Sequence, residues 1–423
     1  MGLNRPQVLI VGGGATGLFS ALDLSLRGFD VTLIERNEIG SGTSGRFHGL
    51  LHSGARYAVN DPQSAIECFQ ENKILYEISP HTIENTDGLF IALTDYEVEY
   101  GDKLVAALKS LNIDHEELNV QEVLKSEPFL TGNIKRAIRV PDKVIYGLPT
   151  LASIAMTAIL NGARILPYHE LININKPNEA IVLNKMNNNT IKLKPDYIIL
   201  TLGPYTHKIL SKIGVKIDIM PTEGLMVVFR GRYSRRVINR MRPPSDGDIL
   251  VPYGSVSIMG TTARVIEDPD NFEVERDEIE FLIDAAREII PSIDSKDVLY
   301  YYSSVRPLIK LGEGISPRQA TRDFTILDLE DMGFNVSAIW GGKFTTSRLM
   351  GEKIGDHIAA KFGVHEKSHT RETVLFGADL SKLERFKEIG RFIKYAIEHP
   401  YMDTIYIRQM LSILIYLYQQ YYK

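Results

Sequence analysis

Val8-Leu9-Ile10-Val11-Gly12-Gly13-Gly14-Ala15-Thr16-Gly17 is the stretch on which the reading of this chain turns. Four apolar residues in an unbroken run read as a strand buried on both faces. An amphipathic stretch then continues to Arg27, Gly28 ends it, and Val31 to Ile34 is a second apolar run closed by Glu35. Strand, glycine turn, helix and strand make one βαβ unit. In this setting Gly12 permits the tight turn, Gly14 lets backbone approach a pyrophosphate, and Gly17 lets the helix pack closely on the sheet. The free N–H groups of the helix start, at Ala15 and Thr16, face an anion together with the helix dipole. Glu35 is placed for ribose hydroxyls and Arg36 for the flank of an adenine. A glycine turn without a ligand is the plain alternative, and the full constellation disfavours it. The motif alone does not separate NAD from FAD.

Further out, Tyr197 to Thr201 and Val336 to Trp340 read as buried strands returning to the first sheet. Between them lie strand-like runs at Gly88 to Thr94, Gly224 to Arg230 and Ser255 to Gly260. Helical patterns occupy roughly 100–110, 273–290 and 343–362. Interrupted visits to one sheet predict a discontinuous nucleotide domain, residues 1–85, 141–215 and 318–363. The inserted substrate domain takes 86–140 and 216–317. After Gly363 the pattern changes to a helical appendage, 364–423. Leu383, Phe386, Phe392, Ile393 and Ile397 stand at helical spacing there, and Ile405 to Tyr422 is apolar nearly all round.

The 423 residues carry 48 basic and 53 acidic side chains, a net charge of −5, so no global field draws the chain to nucleic acid. One cysteine, Cys68, allows no disulfide framework, zinc site or cysteine-ligated cluster within the chain, and no metal is expected. No apolar run approaches the roughly 20 residues that span a bilayer. A reducing cytoplasm is the expected setting, with contact at the cytoplasmic membrane face through the C-terminal helix as a further reading.

The segment Gly40-Ser41-Gly42-Thr43-Ser44-Gly45-Arg46-Phe47-His48-Gly49-Leu50-Leu51-His52-Ser53-Gly54-Ala55-Arg56-Tyr57 is dense in glycine, hydroxyls, histidine and arginine. Small residues let backbone lie against a flat ring, and Thr43 and Ser44 can bond a pyrophosphate. With the glycine turn and Glu35, the run from Arg46 to Tyr57 resembles FAD-dependent glycerol-3-phosphate dehydrogenase, above all the catalytic A subunit of the anaerobic enzyme. The likeness continues through Arg242-Pro243-Pro244-Ser245-Asp246-Gly247-Asp248, Gly260-Thr261-Thr262, Ser304-Val305-Arg306-Pro307-Leu308, Thr321-Arg322-Asp323 and Gly341-Gly342-Lys343-Phe344-Thr345-Thr346-Ser347-Arg348.

This resemblance implies an α/β fold: a glutathione-reductase-like FAD-binding Rossmann domain with an inserted β-rich substrate domain. It implies FAD as cofactor, touched by His48, Gly49, Leu51, Gly203, Gly342, Lys343, Phe344 and Thr345 besides the glycine turn. It places Arg56, Tyr57, Arg306, Arg322 and Lys343 at the substrate. A phosphomonoester carries roughly −1.5 to −2 charge and calls for several fork-shaped cations. Hydride abstraction from a carbinol also needs a base near neutral pKa, for which His52 and His48 are the candidates and His52 is preferred, with Arg306 and Lys343 stabilising charge. Arg306 is expected just after a strand at Val298 to Ser303, and Thr345 and Thr346 as caps of the following helix.

Two departures stand out. The family has Asn-Ala-Ala-Gly and a tryptophan where this chain reads Leu200-Thr201-Leu202-Gly203-Pro204-Tyr205, and an Asp-Pro pair is missing near Val144 to Leu148. The family's A subunits carry a cysteine-rich domain that has no counterpart here, so electrons are expected to leave by quinone or a partner redox protein. An oxidoreductase of 2-hydroxy acids or amines, and a flavin subunit that only relays electrons, are the competing readings.

Overall fold

The computed structural model describes residues 5–309, 323–378, 391, 394–395 and 404–421. The opening motif folds as read: β1 (Gln7–Val11), α1 (Ala15–Leu26) and β2 (Asp30–Ile34), with β1 and β2 parallel in register from Gln7 beside Asp30 to Val11 beside Ile34. They form the centre of a six-stranded sheet. Its order runs Phe324–Asp328, Val336–Gly341, Tyr197–Leu200, β1, β2 and Arg164–Leu166. All neighbours are parallel except Phe324–Asp328, an antiparallel edge strand that the sequence pattern does not announce.

One face of this sheet is covered by α1 and the helices Gly147–Leu160 and Ser347–Lys361. Gly351 and Gly355 bring the last of these against α1, where a Cβ would stand 2.7 Å from the Phe19 backbone and closer still to Asp23. The other face meets a three-stranded antiparallel meander, residues 169–193, through Leu171, Ile174 and Val182. Burial on both faces explains why the central strands are unbroken apolar runs.

The intervening segments build a nine-stranded mixed sheet around the long strand Ile219–Arg230, which pairs with Val256–Gly260 on one edge and Val298–Ile309 on the other. The helix Arg276–Ile289 lies on it, burying Leu282, Ala286 and Ile289. A small sheet of Leu50–Leu51, Lys143–Ile145 and Ile83–Glu84 joins the two layers. The helix expected over 100–110 starts earlier, at Asp95, because Thr94 and Glu97 form a reciprocal capping box. The strand expected to reach Thr94 correspondingly ends at Ala92.

The helix expected from Leu383 to Ile397 lies outside the described residues except for Arg391, Lys394 and Tyr395. Thr404–Tyr421 is helical and folds back onto the body. Leu411 and Ile415 join the core cluster beside the helix Gly147–Leu160. The Gln419 side chain accepts from the Ile165 amide at 2.7 Å and donates to the Ile165 carbonyl at 2.6 Å, replacing a neighbouring strand at the sheet edge. Ser412 Oγ accepts from the amide of Ile39 at 3.0 Å. No helix among the described residues is long and apolar enough to cross a membrane.

Candidate active site

A cavity of 680 Å³ runs between the two sheets, lined from the glycine turn to Arg306 and Lys343. Its floor is the turn after β1. Gly12 takes φ +116°, and a Cβ there would stand 2.6 Å from the Thr201 carbonyl oxygen. A Cβ on Gly17 would lie 2.0 Å from the Gly12 carbonyl oxygen, so no larger residue fits either place. Thr201, the departure noted above, is absorbed here: its hydroxyl bonds the carbonyls of Val11 and Gly12 at 3.0 and 3.1 Å, tying the strand to the turn. Gly14 is the N-cap of α1 and supplies no side-chain cap; the Ala15 N–H donates to Ser44 Oγ at 3.0 Å. The positive end of α1 therefore faces the cavity.

Glu35 lies at the end of β2. Its carboxylate accepts from the amides of Gly13 at 2.7 Å and Asn37 at 3.0 Å. Burial pushes its pKa up, while those two amides and Arg36 pull the other way. Arg36 stacks over the Tyr205 ring at 4.2 Å and pairs with Asp270 at 2.7 Å. Lys208 joins the same carboxylate at 2.8 Å. Tyr205 thus closes this end of the cavity with Arg36.

The segment after Gly40 lines one wall. Phe47 stacks on Phe344 with centroids 4.5 Å apart. His48 Nδ1 accepts from the Leu50 amide at 3.1 Å, which leaves the proton of the neutral ring on Nε2. His52 is buried, with its Nε2 3.4 Å from the Tyr57 hydroxyl and its ring centroid 6.0 Å from that of His48. Lys343 Nζ lies over the Tyr57 ring at 4.7 Å. Thr43 donates to the Val305 carbonyl, a tie across to the other wall.

Arg306 belongs to the opposite wall and Arg56 to the first. Arg306 lies inside the strand Val298–Ile309, not beyond its end as the sequence predicted, because the ladder with Ile219–Arg230 continues through Thr222 beside Arg306. Its guanidinium donates to the carbonyls of Glu223 and Thr262. Arg56 is ion-paired at 2.5 Å with Asp248, a fully buried carboxylate that also takes Arg242 Nε at 2.7 Å and the Ser245 amide at 2.6 Å. Arg56, Tyr57, Arg306 and Lys343 line the same cavity as His52; Arg322 lies outside the described residues.

Three further expectations are corrected. The helix after Lys343 starts at Ser347, since Gly341 and Gly342 take φ of +98° and +64°. Neither threonine caps it by side chain: Thr346 Oγ1 turns back to accept the Lys343 amide at 3.1 Å, and Thr345 Oγ1 accepts the His52 amide at 3.2 Å. Gly49 and Leu51 do not line the cavity. Strand alternation sends Leu50 to the cavity and Leu51 to the core, and the space at Gly49 is taken by the Tyr253 ring, 2.5 Å from where a Cβ would stand. Gly203, with φ +53°, lines the cavity with open space at its Cα. Among the described residues no cluster of His, Cys, Asp and Glu could hold a metal, and Cys68 is buried and free.

A nucleotide-binding parallel sheet and a mixed sheet closing over one elongated cavity define an oxidoreductase of the two-layer flavoprotein type. Residues 7–355 match the family model described as FAD dependent oxidoreductase. The chain is 35% identical over 393 residues to anaerobic glycerol-3-phosphate dehydrogenase subunit A1 of Haloferax volcanii, covering 89% of this chain and 67% of that one. The fold is also that of glycerol-3-phosphate dehydrogenase from Bacillus halodurans complexed with FAD (TM-score 0.69, 21% identity, 99% of this chain and 83% of that one). It is shared with glycine oxidase from Geobacillus kaustophilus (TM-score 0.69, 18% identity, 85% and 95%). The chain belongs to the FAD-dependent oxidoreductase family, among the relatives of the anaerobic glycerol-3-phosphate dehydrogenase A subunits. The residues present fit that cofactor: a turn where a Cβ would strike backbone, a helix start without a side-chain cap, and a buried acid closing β2 suit its ADP half.

Proposed function

We propose that this chain oxidises sn-glycerol 3-phosphate to dihydroxyacetone phosphate at a bound FAD. The observation that carries this reading is the convergence of Arg56, Arg306, Lys343, Tyr57 and His52 on one cavity that also contains the glycine turn. Three cations from three distant parts of the chain exceed what a substrate carboxylate needs and suit a phosphate dianion. Bound in this cavity, FAD would supply the hydride acceptor for the substrate's secondary carbon. His52 takes the hydroxyl proton, with the Tyr57 hydroxyl 3.4 Å from its Nε2 to orient the ring. Arg306 and Arg56 hold the phosphate, and Lys343 steadies charge beside the reacting oxygen. Arg322 completes the phosphate set in this reading.

The glycine turn, Glu35, Arg36, Ser44, Gly203 and residues 342–345 hold the cofactor. Thr43 and His48 complete its surround. Residues 1–85, 141–215 and 318–363 form the FAD domain, 86–140 and 216–317 the substrate domain, and 364–423 the appendage, a division supported by the strand membership of the two large sheets. The electrons pass to quinone or a partner redox protein in the cytoplasm. The exposed side chains Met410 and Ile413 on the C-terminal helix are where we place a contact with a subunit or the cytoplasmic membrane face.

The test is an anaerobic titration of the FAD-loaded protein with glycerol 3-phosphate, 2-hydroxyglutarate and D-amino acids in separate arms. Bleaching of the flavin by glycerol 3-phosphate alone is expected. Bleaching only by an acid or amine, or by none of the three, overturns the reading.

A further inference from the structure

The segment carrying His52 has little regular structure of its own: the two-residue strand Leu50–Leu51 and one tight turn at Ala55–Tyr57. A proton-transferring group nevertheless has to stay within about 0.5 Å of its working position. What fixes it is a set of side chains acting on three consecutive backbone groups. The Leu51 carbonyl accepts from Asn72 Nδ2 at 3.0 Å, the His52 amide donates to Thr345 Oγ1 at 3.2 Å, and the Ser53 amide donates to Asp142 Oδ1 at 2.7 Å.

Behind them lies a second layer. Asn239 Nδ2 donates to the other Asp142 oxygen at 3.2 Å, and the Lys143 ammonium donates to Asn72 Oδ1. Asn72, Asp142, Lys143 and Asn239 are each at most 7% exposed. They come from the helix Pro62–Ile78, the start of the strand Lys143–Ile145 and the strand Val237–Arg240, so the network spans both large layers. None of the four lines the cavity. Burying a carboxylate and an ammonium costs several kcal/mol that apolar packing would avoid, so such a network is poor value for stability alone. Its bonds instead end on the backbone that aims the imidazole.

We propose that Asp142, braced by Asn239 and flanked by the Asn72–Lys143 pair, is the positioning residue for His52. This rests on the reading of His52 as the proton acceptor. Asp142 lines no part of the cavity and acts through Ser53, whose amide and hydroxyl both bond its carboxylate.

The test follows flavin reduction by glycerol 3-phosphate across pH in FAD-loaded Asp142→Ala, Asp142→Asn, His52→Gln and the Asp142→Ala/His52→Gln double variant. Asp142→Ala should lower the reduction rate by about 10- to 100-fold, since an ångström of misplacement has that scale, and should displace the pH profile while FAD content stays full. Asp142→Asn keeps an acceptor for Ser53 and can turn its amide to Asn239 Oδ1, which lacks a partner now, so the rate should return to within about threefold of the parent. In the His52→Gln background, Asp142→Ala should cost nothing further. Additive losses, or an unmoved pH profile in Asp142→Ala, overturn the positioning role while His52 stands. A His52→Gln rate near the parent's overturns the base assignment itself. Should Asp142→Ala fail to fold, Asn72→Ala carries the same comparison, and loss that adds to His52→Gln again refutes the proposal.

Discussion

Replacing Arg306 by alanine tests the cationic pocket most directly. The guanidinium is held before any substrate arrives by the carbonyls of Glu223 and Thr262 and by Thr261 Oγ1, so its fork is fixed in direction. Both Nη2 hydrogens already go to those carbonyls, so the guanidinium offers a phosphate about one charged hydrogen bond, worth about 1.5–3 kcal/mol. Losing it removes about 1.5–3 kcal/mol of binding, a fall in kcat/KM of about 10- to 150-fold. The assay is steady-state reduction of an artificial acceptor, with glycerol 3-phosphate and free glycerol as paired substrates. Glycerol has no phosphate, so its already low efficiency should change by less than about threefold. Arg306→Lys keeps the charge without the fork and should recover about tenfold of the loss. FAD absorbance should be intact in both variants. An unchanged KM for glycerol 3-phosphate, or equal losses on the two substrates, refutes the phosphate role.

Gly17→Ala forces a methyl to 2.0 Å from the Gly12 carbonyl, so the purified protein should emerge colourless, which an absorbance spectrum decides. Burial depresses His81 to about 4 from an ordinary 6.5, so its contribution to stability is complete above pH 6.5 and is lost as pH falls through 4. At pH 4.5 that loss is about 2–3 kcal/mol, and His81→Gln should flatten the fall in urea midpoint between pH 7 and 4.5. Arg348 is completely buried with Glu71 at 2.6 Å, and Arg348→Met should cost about 3–5 kcal/mol by stranding that carboxylate; a denaturant midpoint near the parent's would count against it. Gln419→Leu leaves the Ile165 amide and carbonyl without partners and should cost about 2–4 kcal/mol in the same measurement.

What the sequence made legible was mostly local. The run from Val8 to Glu35 needs only its own periodicity and glycine spacing to be read, and it folds in register. The wall from Thr43 to Tyr57 was recognisable by its unusual density of small, hydroxylated and basic residues. The return of the strands Tyr197–Leu200 and Val336–Gly341 to the first sheet was legible too, but individual hydrogen-bond partners across the chain were not. Asp248 meets Arg56 across 192 positions and Thr345 meets the His52 amide across 293, and neither separation leaves a periodic trace. Thr346 looks like a helix cap by type, yet two positive-φ glycines before it reverse its direction. Arg306 was set just after a strand ending at Ser303, but the ladder runs on through Pro307, which sits opposite Pro221 where neither residue has an amide to lose. Asp142 drew no notice, since nothing beside it in sequence says that its carboxylate ends under the histidine.

The helix Thr404–Tyr421 follows all six strands of the nucleotide sheet in the chain, yet it finishes that sheet's open side at Ile165 and fastens Ile39 beside the glycine turn. During synthesis the pocket for the adenosine moiety therefore stays unbraced until this helix has left the ribosome. Truncation before Thr404 would leave that edge unsealed while every cavity-lining group was still present.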